Sequence, residues 1–184
     1  MWYVNKGQKL HSDICIKGLE TDIFVGNSLV FMYGDCGMLM DAQKVFDTLK
    51  LRDIVSWNAL MGGYAKHGHA KEALECFSKV QCNGIIPDFV TFLCALKVCR
   101  EMVTSIKGIG IHMEILKRAL DIDISMGSTL VDLYVTHGLF VEAHLVLEKL
   151  PRRNVDTLNV IVLGYSKHEL SEQAIHHFNQ IQLD

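Results

Sequence analysis

Histidine and cysteine spacing gives the first test for metal or nucleophilic chemistry in this 184-residue chain, which holds nine His and six Cys. His67 and His69 flank a single glycine, and His176 and His177 are adjacent. Adjacent helical residues diverge by about 100° and residues two apart by about 200°, so neither pair is a ready chelate. His168-Glu169 starts like the metalloprotease His-Glu-x-x-His, but position 172 is Glu where the second histidine belongs. Cys15, Cys36, Cys76, Cys82, Cys94 and Cys99 form no Cys-x-x-Cys pair and read as small buried hydrophobes of a reducing compartment. There is no Gly-rich phosphate loop and no nucleophile elbow. These residue types predict no metal, no cofactor, no small-molecule substrate and no catalysis by the chain itself.

Some of these residues instead recur. Asn58, Gly63, Tyr64, Lys66, His67 and Ala73 return as Asn159, Gly164, Tyr165, Lys167, His168 and Ala174, always 101 residues later. Gly7, His11, Gly26, Leu29, Val30, Tyr33, Gly37 and Ala42 also return at that offset. A period of this kind decides the architecture before anything else. A shorter unit lies inside it. Tyr33, Tyr64, Tyr134 and Tyr165 are each followed four residues on by Gly, except that the last has Glu169. Nine after each Tyr stands Ala42, Ala73, Ala143 or Ala174, and four further on Phe46, Phe77, Leu147 or Phe178.

Each unit reads as two helices. Trp57, Leu60, Met61 and Tyr64 share one helical face, and Ala73, Leu74, Phe77 and Val80 make a second. Gly68 ends the first helix, and Gly84 and Pro87 end the second. Ala73 is expected where two helices approach closely, and Trp57 in the core rather than as a stacking platform. Neither pair can bury its stripe alone, whereas stacked neighbours can, which predicts an α-solenoid.

Bulk composition agrees. Hydrophobic residues make up 49% and charged residues 21%, enough apolar surface for a core. The net charge of -3 excludes indiscriminate phosphate binding through a global basic field. No apolar run reaches the roughly 18 residues of a membrane helix, so no membrane partner is expected. The opening MWYVNKGQKLH lacks a secretory h-region and the Arg/Ser-rich character of a transit peptide, so the chain either stays in the cytosol or lacks its real N-terminus.

The stretch DIVSWNALMGGYAKHGHAKEALECFSKVQCNGIIPD, residues 53–88, resembles a pentatricopeptide repeat. The remaining units resemble the long, short and regular variants of plant PLS-type members. The chain is thus expected to carry a partial long unit (1–22), a short unit (23–53), a regular unit (54–88), a long unit (89–123), a short unit (124–154) and an incomplete regular unit (155–184). It looks like a short or truncated member without the His-x-Glu and Cys-x-x-Cys deaminase-like domain that ends many relatives. The resemblance implies an all-α, right-handed solenoid of helix-turn-helix repeats. It also implies single-stranded RNA as partner, read at about one base per repeat. Location in a mitochondrion or chloroplast, and editing or processing by an enzyme acting in trans, follow from the same resemblance.

The family reads bases with the fifth and last residues of a unit. Carried over, these pairs are Asn27 with Asp53, Asn58 with Asp88, and Ser128 with Asn154, while Asn159 lacks a partner within the chain. A carboxamide offers donors and an acceptor to a pyrimidine edge, and a neighbouring carboxylate can orient it. By resemblance Asn with Asp favours uridine over cytidine and Ser with Asn favours adenine, while Leu93 of the long unit reads poorly. The expected order is pyrimidine, pyrimidine, any, adenine, pyrimidine. The family wedges the second residue of each unit between bases. Phe24, Val55 and Val90 fit that role, and Ser125 and Asp156 depart from it.

Read alone, Ser56 is an N-cap, Asn58 a solvated first-turn residue, and Lys66 and Lys167 a solvated face. The return of Asn in three units and of Asp or Asn closing three favours base reading. Two other readings compete: a protein-interaction scaffold, which would not require those pairs, and a non-functional remnant.

Overall fold

The computed structural model describes residues 2–19, 21–102, 106–120, 123–151 and 155–170, together with 172 and 175. The described residues form ten α-helices and no strand. They divide into two compact units, Met1–Cys94 and Ala95–Asp184. The first holds α1 (Trp2–Ile16), α2 (Ile23–Asp35), α3 (Leu39–Thr48), α4 (Ile54–Lys66), α5 (Ala70–Cys82) and the start of α6 (Phe89–Arg100). The second holds the rest of α6, then α7 (Ile106–Lys117), α8 (Ile124–Thr136), α9 (Phe140–Lys149) and α10 (Val155–Lys167). Among the described residues no helix is long and apolar enough to cross a membrane.

In the first unit α2 packs on α3 and on α4, and α4 on α5; in the second α8 packs on α9 and α10. The expected stripes form the core. Leu60, Met61, Leu74, Phe77 and Val80 are buried, and Ala42, Ala73 and Ala143 are fully enclosed at the helix contacts. Trp57 is buried as expected, its ring edge-on to Phe46 at 4.7 Å. Tyr64 departs from this pattern: it is only half-buried, and its hydroxyl bonds Gln43 Oε1 at 2.9 Å. Ala174 and Phe178 lie outside the described residues.

Helix ends follow the sequence closely. Gly37, Gly68 and Gly138 all adopt positive φ, and a backbone bond from the next residue reaches back to Tyr33, Tyr64 or Tyr134. This is the left-handed stop that glycine supplies without steric cost. Glu169 takes the same role at φ 60, with Leu170 N donating to Tyr165 O at 2.8 Å. A side chain held there costs about 1 kcal/mol.

The 101-residue offset has a packing cause. Each repeated tyrosine hydroxyl bonds to the second helix of the preceding pair. Tyr33 pairs with His11 at 2.8 Å and Tyr134 with His112 at 2.6 Å; Tyr64 pairs with Gln43 at 2.9 Å and Tyr165 with His144 at 2.9 Å. His67 and His168 also have a packing role, their rings resting against Gly37 and Gly138.

The cysteines correct an expectation. Cys76 and Cys99 are buried, which pushes each thiol up to about 11. Cys15, Cys36 and Cys82 are exposed because they sit in the last turn or cap of α1, α2 and α5, where side chains meet solvent.

Successive first helices meet backbone to backbone. A Cβ added at Gly63 would lie 2.8 Å from Gly34 Cα. In the second unit the place of Gly34 is taken by Val135, and a Cβ on Gly164 would overlap its Cγ1. Gly62, one residue away, has open space around it. Gly62→Ala is therefore expected to stabilise the protein by about 0.5–1 kcal/mol through helix propensity. Gly63→Ala is expected to destabilise it by about 1–3 kcal/mol through overpacking. Urea unfolding of the two variants checks the opposite signs.

Candidate nucleic-acid interface

The residues expected to pair lie at helix starts. Asp53 is the N-cap of α4, and its carboxylate accepts from the Ser56 amide at 2.8 Å. The Ser56 hydroxyl in turn accepts from the Asp53 amide at 3.3 Å, closing a capping box. Ser56 is thus the third residue of the helix and not its cap, a correction to the simple sequence reading. Asp88 and Thr91 repeat the arrangement at α6, with bonds of 2.8 and 3.1 Å.

The fifth residue of the preceding pair joins each box. Asn27 Nδ2 donates to Asp53 Oδ1 at 3.2 Å, while Ser56 Oγ donates to Asn27 Oδ1 at 2.6 Å. Asn58 Nδ2 reaches both Asp88 oxygens, at 3.0 and 3.2 Å, and Thr91 Oγ1 lies 2.8 Å from Asn58 Oδ1. Asn58 is half-buried and bonded, not a freely solvated first-turn side chain. Partial burial pushes the Asp53 and Asp88 carboxyls up. Bonds from the Ser56 or Thr91 amide and hydroxyl and from the asparagine outweigh that push and hold both below the usual carboxylate range.

Asn27, Asn58 and Asp88 line a groove of about 490 Å³ together with Val55, Val90 and Phe31. The expected wedges are exposed apolar side chains: Phe24 at 78%, Val55 at 54% and Val90 at 49%. Amide edges, apolar surface and the Asp88 carboxylate thus face the groove, and both carboxylates accept bonds from the wall.

In the second unit Ser128 Oγ meets Thr157 Oγ1 at 2.7 Å, in a groove of about 610 Å³. Asn154, the expected partner of Ser128, lies outside the described residues, as does the side chain of Asp156. Asn159 is exposed on α10 and Leu93 half-buried on α6. Ser125 is exposed at the second position of α8, where the first unit carries apolar residues. Lys66 is exposed as expected but ion-paired to Asp35, and Lys167 is exposed.

Sequence reasoning missed Ser56, Thr91 and Thr157 as members of the site. The signal was present as Asp53-x-x-Ser56, Asp88-x-x-Thr91 and Asn154-x-x-Thr157, a capping-box spacing.

Stacked helix pairs with a polar constellation repeated at the starts of α4 and α6 define an α-helical repeat protein. The family model described as the PPR repeat family matches residues 52–101, and that of the PPR repeat matches 27–54 and 128–155, together more than half the chain. The chain belongs to the pentatricopeptide repeat family. Similar proteins include a mitochondrial pentatricopeptide repeat-containing protein of Arabidopsis thaliana, 35% identical over 92% of this chain and 16% of the relative. A chloroplastic one from the same plant is 35% identical over 97% and 21%. The chain therefore spans a fifth or so of the length of these relatives.

The crystal structure of the pentatricopeptide repeat protein PPR10 from maize has a similar fold, with TM-score 0.76 and 21% identity over 96% of this chain and 26% of that one. PPR10 in complex with an 18-nt psaJ RNA element matches with TM-score 0.71 and 22% identity over 92% and 26%. The expected α-solenoid fold class is thereby shown.

The depressed Asp88 carboxyl gives a pH test with a definite sign. Its stabilisation is fully present above the unfolded value near 3.9 and is lost as pH falls through the lower folded value. At pH 7, Asp88→Asn is expected to cost about 1 kcal/mol. That gap to wild type should narrow as pH drops below about 4 in urea titrations.

Proposed function

We propose that the chain is a single-stranded RNA-binding module that reads about one base per repeat. The observation that carries this reading is the Asn–Asp–hydroxyl constellation, built twice along one groove whose walls also present exposed Val55 and Val90. A wall of oriented amides and apolar edges suits unstacked bases, which offer hydrogen-bonding edges and flat faces. PPR10, whose fold is similar, was crystallised with RNA.

In this reading the repeats run as long (1–22, partial), short (23–53), regular (54–88), long (89–123), short (124–154) and regular (155–184) units of PLS type. Asn27 with Asp53 and Asn58 with Asp88 read two successive pyrimidines, with uridine preferred. Ser128 with Asn154 reads adenine, Asn159 reads a pyrimidine, and Phe24, Val55 and Val90 wedge between bases. The module works in a mitochondrion or chloroplast, as the names of two relatives suggest, and brings a separate editing or processing enzyme to its RNA. Stacking contributes roughly 1–3 kcal/mol per base. With this few readers and the costs of ordering, the affinity of this piece alone is about micromolar or poorer.

Titration of two short RNAs tests the reading. One carries the order pyrimidine, pyrimidine, any, adenine, pyrimidine, and the other has purines at the first two places. Wild type is expected to prefer the first by about tenfold or more, the equivalent of one to two hydrogen bonds per base. Asn58→Ala should erase the preference at the second place and leave that at the first. Equal, salt-sensitive binding to both RNAs sinks base reading and favours a scaffold that binds protein.

A further inference from the structure

The Asn27 and Asn58 networks each contain a side chain with no base-reading role of its own. Ser56 and Thr91 are completely buried, and each hydroxyl sits between the asparagine carbonyl and the closing carboxylate. The hydroxyl has one proton and two acceptors. At Ser56 the distances are 2.6 Å to Asn27 Oδ1 and 2.9 Å to Asp53 Oδ1, which directs the proton to the asparagine. At Thr91 both distances are 2.8 Å. Asp88 already has donors in the Thr91 amide and Asn58 Nδ2, so Asn58 Oδ1 is the acceptor that most needs the proton.

A carboxylate accepts only, so Nδ2 must face it, and a flipped carboxamide would set Oδ1 against a negative charge. The hydroxyl removes the remaining freedom by holding Oδ1. One Nδ2 proton and one Oδ1 lone pair are then left for the groove, at fixed places. A hydroxyl recurs at the same helical position in the second unit, where Thr157 is 1% exposed and lies 2.7 Å from Ser128 Oγ.

Resting on the RNA reading above, we infer that Ser56 and Thr91 are positioning residues that set uridine over cytidine by locking the carboxamides of Asn27 and Asn58 in one orientation. Uracil presents an acceptor at O4 and a donor at N3; cytosine presents the reverse. A carboxamide free to flip serves both edges, whereas a locked one serves only one. The closing carboxylate therefore acts together with a third residue contributed by the following helix.

The test uses the full chain with Thr91→Val, which keeps the shape and removes the hydroxyl, and with Thr91→Ser as the conservative rescue. Both are titrated with RNAs carrying uridine or cytidine at the second place. Ser56→Ala is read in parallel at the first place. Thr91→Val is expected to lose about three- to tenfold of the uridine-to-cytidine ratio, the worth of one hydrogen bond, and to keep its preference for pyrimidine over purine. Thr91→Ser is expected to keep both. A general loss of packing would weaken all RNAs alike and leave the ratio unmoved.

Hydrogen exchange of the Asn58 side-chain amide, followed by NMR without RNA, is expected to be faster in Thr91→Val and unchanged in Thr91→Ser. An unchanged uridine-to-cytidine ratio in Thr91→Val, with that ratio abolished in Asn58→Ala, overturns the inference and leaves RNA reading intact. If wild type discriminates no base, RNA reading fails and amide exchange decides the lock. The uridine preference then falls with the reading; unchanged exchange in Thr91→Val also overturns the lock, and accelerated exchange supports the lock alone.

Discussion

Backbone contact between successive first helices is the constraint from which the groove follows. Gly34 and Gly63 let α2 and α4 touch with no side chain between them. At that separation Asn27, early in α2, reaches the cap of α4 at Asp53 and the third residue of α4 at Ser56. A methyl group at Gly63 would force the helices apart and lengthen bonds that are now 2.6–3.2 Å. Hydrogen bonds weaken steeply with distance, so the close glycine contact and the polar constellation form one mechanical unit. In the first unit the Tyr33 and Tyr64 hydroxyls also tie α2 and α4 to the second helix of the preceding pair.

The closing aspartate links folding to the site. As N-cap it satisfies otherwise unpaired helix amides, a local stabilisation that any Ser, Thr, Asn or Asp supplies. As an anion it also dictates which way the neighbouring carboxamide points, which an uncharged cap would not do. It accepts bonds from the Thr91 or Ser56 amide and from the asparagine, so it is anchored in the wall while its amide partner is oriented toward the groove. Under the RNA reading, binding in this net -3 chain relies on this local geometry and not on a basic field. Recognition of this kind depends on geometry, so rigidity of the wall matters more than its potential.

Much of this was legible in the sequence because repeats convert one contact into a periodic signal. Helical stripes, alanines at close contacts and glycine stops can be read from Tyr33, Ala42 and Gly37 and their equivalents. The pairing of Asn27 with Asp53 and Asn58 with Asp88 came from family resemblance, since residues 26 and 30 apart share no helical face. The buried hydroxyls went unread because a serine near a helix start looks like a cap. Only the position of Asp53 relative to Ser56 shows that the aspartate holds that place. The exposed cysteines were misread for a related reason: residue type predicts burial on average, whereas Cys36 and Cys82 sit at helix ends that face solvent.

The same frame carries different chemistry in the two units. Phe31, exposed in the first groove, stands where the 101-residue offset puts Asp132 in the second. Asp132 is paired with Arg100 at 2.5 Å and shares its groove with Lys97, Ser125, Ser128 and Thr157. The first groove therefore offers apolar faces alongside its amides, and the second adds hydroxyls and charged groups to its apolar lining of Ile124 and Val160. Under the RNA reading, stacking energy concentrates where Phe31, Val55 and Val90 are, because water competes weakly for flat apolar contacts and strongly for exposed polar ones.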